Sequence, residues 1–151
     1  MHSLVRRYLK TGILFLMIGL AIGVYMTAER ELVQRNPAQH VVSAHTHAIL
    51  VGFVMMMILG VALWLFPRPE KNDLRYAPRI ANAAYWLITV GTAVRIAGEL
   101  LRPRSAALPL RLSVLGASLL QVTGLVLFFH TMWSRIRPAG SQAREHRGER
   151  F

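Results

Sequence analysis

Four long runs of apolar residues limit what this chain can fold into. They span Leu9–Ala28, Val41–Phe66, Ile80–Leu101 and Leu112–Trp133. Each run reaches the ~20 residues that a helix needs to cross about 30 Å of hydrocarbon. The crossings take up most of the 151 residues, 54% of which are hydrophobic, and leave no room for a soluble domain. We therefore predict an all-α membrane protein whose four transmembrane helices lie within residues 1–134.

Short connections and uneven charge predict how these helices are arranged. Because the loops are short, consecutive helices should be antiparallel neighbours in an up-down bundle. One side of the bundle collects most of the basic residues, namely Arg6, Arg7, Lys10, Arg68, Lys71, Arg75, Arg79, Arg135, Arg137, Arg144, Arg147 and Arg150. The other side has Arg30, Arg35, Arg102, Arg104 and Arg111. The positive-inside rule then places both termini in the cytoplasm of a bacterial-type inner membrane.

The same distribution bears on the partners of the chain. The net charge of +11 could suggest nucleic acid, but its placement in the segments between apolar runs favours a lipid bilayer as the partner. Residues 135–151 are basic, polar and without periodicity, which predicts a disordered cytoplasmic tail against anionic headgroups. The absence of cysteine excludes covalent c-type haem attachment, thiolate-bound iron–sulfur clusters and cysteine-bound copper in this chain.

Two histidines near the start of the second run are the strongest chemical signal. From Val41 to Phe66 there is no Asp, Glu, Lys or Arg, yet His45 and His47 lie within this stretch. An ionisable group inside such a helix is expensive and is usually retained for a function. At about 100° per residue, the two imidazoles point about 200° apart, so one helix could serve two sites.

The surroundings of these histidines favour a haem site. His40 lies one heptad before His47 and shares its side of the helix, as an auxiliary ligand or supporting group. Gly52, about two turns after His45, removes bulk where a flat porphyrin could approach. In the alternative interpretation, the histidines bond backbone carbonyls or each other at a helix interface.

The third run contains Arg95 and Glu99 at i, i+4 spacing. The two can pair with each other, as buried opposite charges in membranes usually do. Alternatively, Arg95 anchors haem propionates together with Arg102 or Arg104, because a planar guanidinium suits a carboxylate.

Two polar residues of the fourth run are assigned to structure. Gln121, near mid-membrane, is expected to donate a hydrogen bond between helices. His130 lies at the opposite end of the bundle from His45, so we expect an interfacial group there and no ligand.

The stretch from His45 to Gly52, continuing to Gly60 and ending in Trp64-Leu65-Phe66-Pro67-Arg68, resembles haem–copper oxidase subunit I. That superfamily includes the large subunit of nitric oxide reductase. In it, a helix running from outside to inside bears a His-x-His pair whose imidazoles face two different haems. The resemblance implies that His45 and His47 are axial ligands of haem b near the periplasmic face, for electron transfer or binding of O2 or NO.

The resemblance also sets limits. The family's catalytic subunit has further helices that carry its copper-site histidines, and this chain has no match for them. A complete haem–copper catalytic site is therefore not expected in one chain, and whether the chain is a component of a haem-dependent oxidoreductase stays open. The family fold is similar to three arcs of four helices. A homotrimer of this chain would imitate that ring, with haems between subunits and a redox partner protein beside it.

Two other functions are open at this point. The chain could be a non-redox accessory or assembly subunit of a respiratory membrane complex, which short loops and helix-packing glycines suit equally well. The histidines could also form a copper or zinc site, since imidazole suits both metals. The opposed directions of His45 and His47 disfavour one ion shared by both.

Overall fold

The computed structural model describes residues 3–66, 77–102, 107–136 and 148. The helices are α1 (Ser3–Leu32), α2 (Gln39–His47), α3 (Met56–Leu65), α4 (Pro78–Leu101) and α5 (Leu108–Met132). A π-helical segment, Ala48–Met55, joins α2 to α3, and a 3-10 turn, Trp133–Arg135, follows α5. The unbroken helix Gln39–Leu65 is called the histidine helix below. The described residues contain no β-strand.

Four of these helical stretches are long and apolar enough to cross a membrane. They are Ser3–Leu32, Gln39–Leu65, Pro78–Leu101 and Leu108–Arg135. This confirms the predicted all-helical fold with four long apolar helices. Each helix buries only a minority of its apolar stretch inside the bundle, so most of its apolar surface faces outward, as contact with lipid requires.

The start of α1 follows from tertiary burial, and the starts of α4 and α5 follow from local chemistry. α1 begins at Ser3, ahead of the apolar run, because Val5 and Tyr8 in its first turns are buried in the bundle. α4 and α5 each carry proline in the first helical turn, where the missing N–H breaks no intrahelical hydrogen bond. A pattern of apolar residues alone does not predict the early start of α1, because that start depends on tertiary burial.

Glycines allow the helix axes to approach closely. A Cβ added at Gly60 would lie 3.0 Å from Tyr8 Cβ, and one added at Gly19 would lie 2.5 Å from Ile49 Cδ1, so α1 packs tightly along the histidine helix. The same holds between α4 and α5, where a Cβ at Gly91 would lie 2.8 Å from a backbone carbonyl oxygen. Small residues at such crossings are the usual device of membrane helices.

The core consists of two apolar clusters. The first joins α1, α3, α4 and α5, and comprises Val5, Tyr8, Met56, Leu59, Leu63, Ala84, Tyr85, Ile88, Phe128 and Met132. The second joins α1, the histidine helix and α4, and comprises Phe15, Ile22, Val41, Ala44, Ala48 and Ile96. No buried residue of α5 belongs to the second cluster. The bundle is therefore less closed at the end where the histidines lie.

A buried cation fastens the other end of the histidine helix. Arg135 is 4% exposed, and its Nη2 donates to the carbonyl oxygens of Leu63 at 3.1 Å and Phe66 at 3.0 Å. These carbonyls belong to the last turn of the helix and the residue after it, where the partial negative charge of the dipole attracts a cation. Sequence analysis placed Arg135 in the basic tail, most of which lies outside the described residues.

Candidate functional site

His45 packs against α1 in a defined orientation. Its Nδ1 lies 2.9 Å from the carbonyl oxygen of Gly19. Because a carbonyl oxygen only accepts, Nδ1 carries the proton and donates it, and Nε2 keeps the lone pair. A Cβ added at Gly23 would lie 3.1 Å from His45 Cε1, so the missing side chain there makes room for the ring.

His47 is oriented in the same way but faces a different neighbour. Its Nδ1 donates to the carbonyl oxygen of Ser43 at 2.9 Å, one turn earlier in the same helix. The same nitrogen lies 4.0 Å from Oε2 of Glu99 on α4. Within the described part of the chain, neither His45 nor His47 has a hydrogen-bond partner at Nε2. The two imidazoles therefore present free Nε2 atoms on different sides of the helix.

A cavity lies beside His45. Its volume is about 840 Å³, within the ~300–1,000 Å³ that small-molecule sites usually occupy. The last turns of α1, the connecting segment and the start of the histidine helix form its walls, which include Gly23, Met26, Arg30, Pro37, Val42 and His45. This cavity combines an imidazole with mainly apolar walls, the exposed guanidinium of Arg30 and the exposed carboxylate of Glu31.

On the other side of the histidine helix lies a buried polar group, the Glu99 cluster, which comprises Ser43, Arg95, Glu99 and Ser118. Oε1 of Glu99 accepts from Ser43 Oγ at 2.8 Å and from Arg95 Nε at 3.2 Å. Arg95 Nη1 also donates to Ser118 Oγ at 2.8 Å. The sequence left two roles open for Arg95, pairing with Glu99 and anchoring haem propionates. The structure contains the pair with Glu99.

The other residues that the sequence assigned to the site lie in different parts of the bundle. A Cβ at Gly52 would lie 2.6 Å from the Phe15 side chain, so Phe15 fills the space that Gly52 leaves. His40 lies half-buried in the first turn of α2. Arg102 directly follows α4, and Arg104 lies outside the described residues. Among residues 3–66, 77–102 and 107–136, no group of three or more His, Cys, Asp or Glu could hold a metal ion.

The polar residues of α5 take structural positions. Gln121 Nε2 donates to Thr92 Oγ1 of α4 at 3.0 Å, in a buried pair, which confirms the predicted hydrogen bond between helices. His130 is exposed. Its neighbours Phe128 and Met132 pack with Leu63, at the far end of the histidine helix from His45.

Two features of this site were not predicted from the sequence. One is the π-helical segment directly after His47, a rare geometry that is frequently found at functional sites. Nothing in its uniformly apolar residues distinguishes it from an α-helix. The other is the link from Ser43 to Glu99, which depends on how the helices pack. A serine four residues before His47 was the only available signal.

One comparison with known proteins covers nearly the whole chain. The family model described as cytochrome c and quinol oxidase polypeptide I matches residues 3–145. This match runs from the start of α1 past the turn that contains Arg135, and so includes all four apolar helices and both histidines of the His-x-His pair. No curated protein and no solved structure matches the chain.

Proposed function

This chain belongs to the cytochrome c and quinol oxidase polypeptide I family, and we propose that it is a haem b-binding integral membrane protein that transfers electrons or binds O2 or NO. The observation that carries the proposal is the orientation of His45 and His47. Each imidazole donates its Nδ1 proton to a backbone carbonyl and leaves the Nε2 lone pair free. Ligating histidines are usually held in this way, with the second ring nitrogen fixed by a carbonyl or carboxylate.

The cavity beside His45 supports the proposal that a porphyrin macrocycle binds there. In this proposal, Nε2 of His45 would bind the haem iron, the apolar walls would contact the macrocycle, and the exposed guanidinium of Arg30 would pair with a propionate. Bound haem would supply a one-electron iron couple or a site for a diatomic gas. A macrocycle that reached Gly52 would require the Phe15 ring to move.

His47 would bind haem on a different side of the helix from His45. Its neighbour Glu99 is already paired with Arg95, and Arg95 with Ser118. In the proposal, Arg95 would contact a propionate while keeping its hydrogen bonds to Glu99 and Ser118. The half-buried His40 remains an auxiliary group on the same side of the helix as His47. Copper is the less favoured occupant, because no described cluster offers three ligands of the usual types.

We further propose an antiparallel bundle in the inner membrane, with both termini cytoplasmic and the histidines near the periplasmic face. The helix contacts support this arrangement, because the start of α1 (Tyr8) meets the end of the histidine helix (Gly60), and Gly23 of α1 meets His45. The excess of Arg and Lys on one side supports the orientation.

The test is an absorption spectrum of the purified full-length protein, together with analysis of bound iron, copper and zinc. We expect a Soret band and extractable haem b. His45→Ala and His47→Ala should each remove or shift the band, since each loses an iron ligand, while the exposed His130→Ala should leave it unchanged.

Other outcomes would contradict the proposal in distinct ways. Colourless protein that co-purifies with a larger respiratory complex would indicate an accessory or assembly subunit. Copper or zinc at stoichiometric amounts without haem would indicate a histidine metal site. A Soret band that responds equally to all three substitutions would show non-specific haem association.

A further inference from the structure

His47 lies between two hydrogen-bond acceptors. Its Nδ1 is 2.9 Å from the carbonyl oxygen of Ser43 and 4.0 Å from Oε2 of Glu99. The second distance exceeds that of a hydrogen bond by about 1 Å. A rotation of the imidazole ring that brings Nδ1 about 1 Å closer to Oε2 would exchange its hydrogen bond to the Ser43 carbonyl for one to the Glu99 carboxylate.

Among the described residues, the Glu99 carboxylate lacks a hydrogen-bond donor on the side that faces His47. Glu99 is 4% exposed, and Oε2 is buried without a hydrogen-bond partner in the described part of the chain. Its other oxygen already accepts from Ser43 Oγ and Arg95 Nε. A carboxyl oxygen buried in an apolar interior without a hydrogen-bond partner is costly. His47 Nδ1 is the ring donor that the structure brings beside it.

We propose that Glu99 is a positioning residue for His47. Once the ring has rotated, Oε2 accepts a hydrogen bond from His47 Nδ1–H, which fixes the ring with Nε2 outward and makes the imidazole a stronger electron donor. Arg95 and Ser118 in turn hold Glu99 in place, so the Glu99 cluster acts as a support for one imidazole. Carboxylate–histidine pairs of this kind tune the ligand strength of metal-binding histidines in general.

The pairing itself is tested without any haem. In full-length protein labelled with 15N-histidine, the Nδ1–H resonance of His47 is assigned by its loss in His47→Ala. We expect Glu99→Gln to move this resonance upfield, because a hydrogen bond to a neutral amide is weaker than one to a carboxylate. The matched control is Ser43→Ala, which removes a donor to Oε1 but keeps both Oε2 and the backbone carbonyl; it should move the resonance far less.

Glu99→Gln leaves Arg95 without its carboxylate and could disturb folding. The double variant Arg95→Gln/Glu99→Gln removes both charges together and should move the His47 resonance in the same direction as the single variant. Equal shifts in Glu99→Gln and Ser43→Ala would overturn the inference, because they would report general loosening of the cluster.

The consequence for bound haem rests on the proposed function. A carboxylate on the ligand favours ferric iron, so Glu99→Gln should change the ferric-to-ferrous ratio by about tenfold toward the ferrous form, which is ~59 mV for one electron. Ser43→Ala should not. Haem uptake with an unchanged potential in Glu99→Gln would overturn the inference and leave the proposed function intact. If wild-type protein takes up no haem, the proposed function fails, and the 15N comparison still decides the pairing.

Discussion

At the scale of single residues, the site depends on which side chains are missing as much as on which are present. Gly23 leaves space for the His45 ring, since a Cβ there would lie 3.1 Å from Cε1 and 3.5 Å from Nδ1. Contacts at the shorter distance force the neighbour to shift. The ring cannot retreat freely, because its Nδ1 is bonded to the Gly19 carbonyl.

We therefore predict that Gly23→Ala weakens haem binding by roughly tenfold, the lower end of what disturbing the support of a ligand costs. Gly116→Ala is the matched control, because a Cβ at Gly116 on α5 would meet nothing within 4 Å. Titration of each variant with haem, followed at the Soret band, measures the difference. Equal affinities for the two variants would contradict the role given to Gly23.

The sequence predicted the directions of His45 and His47 but not their neighbours. Their opposed directions follow from helical periodicity alone, and the structure places His45 against α1 and His47 beside α4. The neighbour at Gly52 is Phe15, from an earlier helix. No local pattern predicts such a contact, because it is decided by how two apolar helices interdigitate.

At the scale of elements, apolar length was the dependable signal. It predicted the four long helices, since no other backbone arrangement satisfies its hydrogen bonds across hydrocarbon apart from a closed barrel. It could not predict the break in regularity at Ala48–Met55. π-Helical segments are rare and occur mostly inside α-helices, and the apolar residues of this segment give no signal for one.

The end of the histidine helix is fixed by a contact from another element. Arg135 Nη2 donates to the carbonyls of Leu63 and Phe66 from a buried position. We predict that Arg135→Gln lowers the free energy of unfolding by about 2 kcal/mol, the scale of a hydrogen bond to a charged group. The exposed Arg111→Gln on α5 should change it by less than about 0.5 kcal/mol.

Unfolding of both variants by increasing SDS in mixed micelles measures this difference. Because Arg135 lies far from His45, a loss of stability should leave the haem spectrum of the folded fraction unchanged. Matching stability of the two variants would show that the histidine helix does not need this cation.

At the scale of the whole molecule, the bundle is closed at one end and less so at the other. Buried residues of α1, α3, α4 and α5 meet in the first core cluster, whereas the second contains none from α5. The second cluster surrounds the histidine end. The presence of four long apolar helices was predictable from the sequence, but this asymmetry depends on which buried side chains meet in the packed bundle.

This asymmetry, together with the opposed directions of His45 and His47, suggests how copies of the chain would be arranged around haem. A haem iron held by two imidazoles needs both on opposite sides of one macrocycle, and within one protomer His45 and His47 face different neighbours. In a ring of protomers, His45 of one copy and His47 of the next could face a shared haem. We propose a ring of three copies, the number implied by the resemblance to a fold of three four-helix arcs, with haem between the subunits.

Complementation tests this arrangement directly. Protomers carrying His45→Ala retain His47, and those carrying His47→Ala retain His45, so a mixed ring contains some complete pairs at its interfaces. We expect each variant alone to lose the Soret band and co-expression of both to restore part of it, with native mass spectrometry showing haem in mixed trimers. If each protomer instead supplies all the ligands of its own haem, mixing restores nothing, and a monomer or dimer with full haem content would exclude the ring.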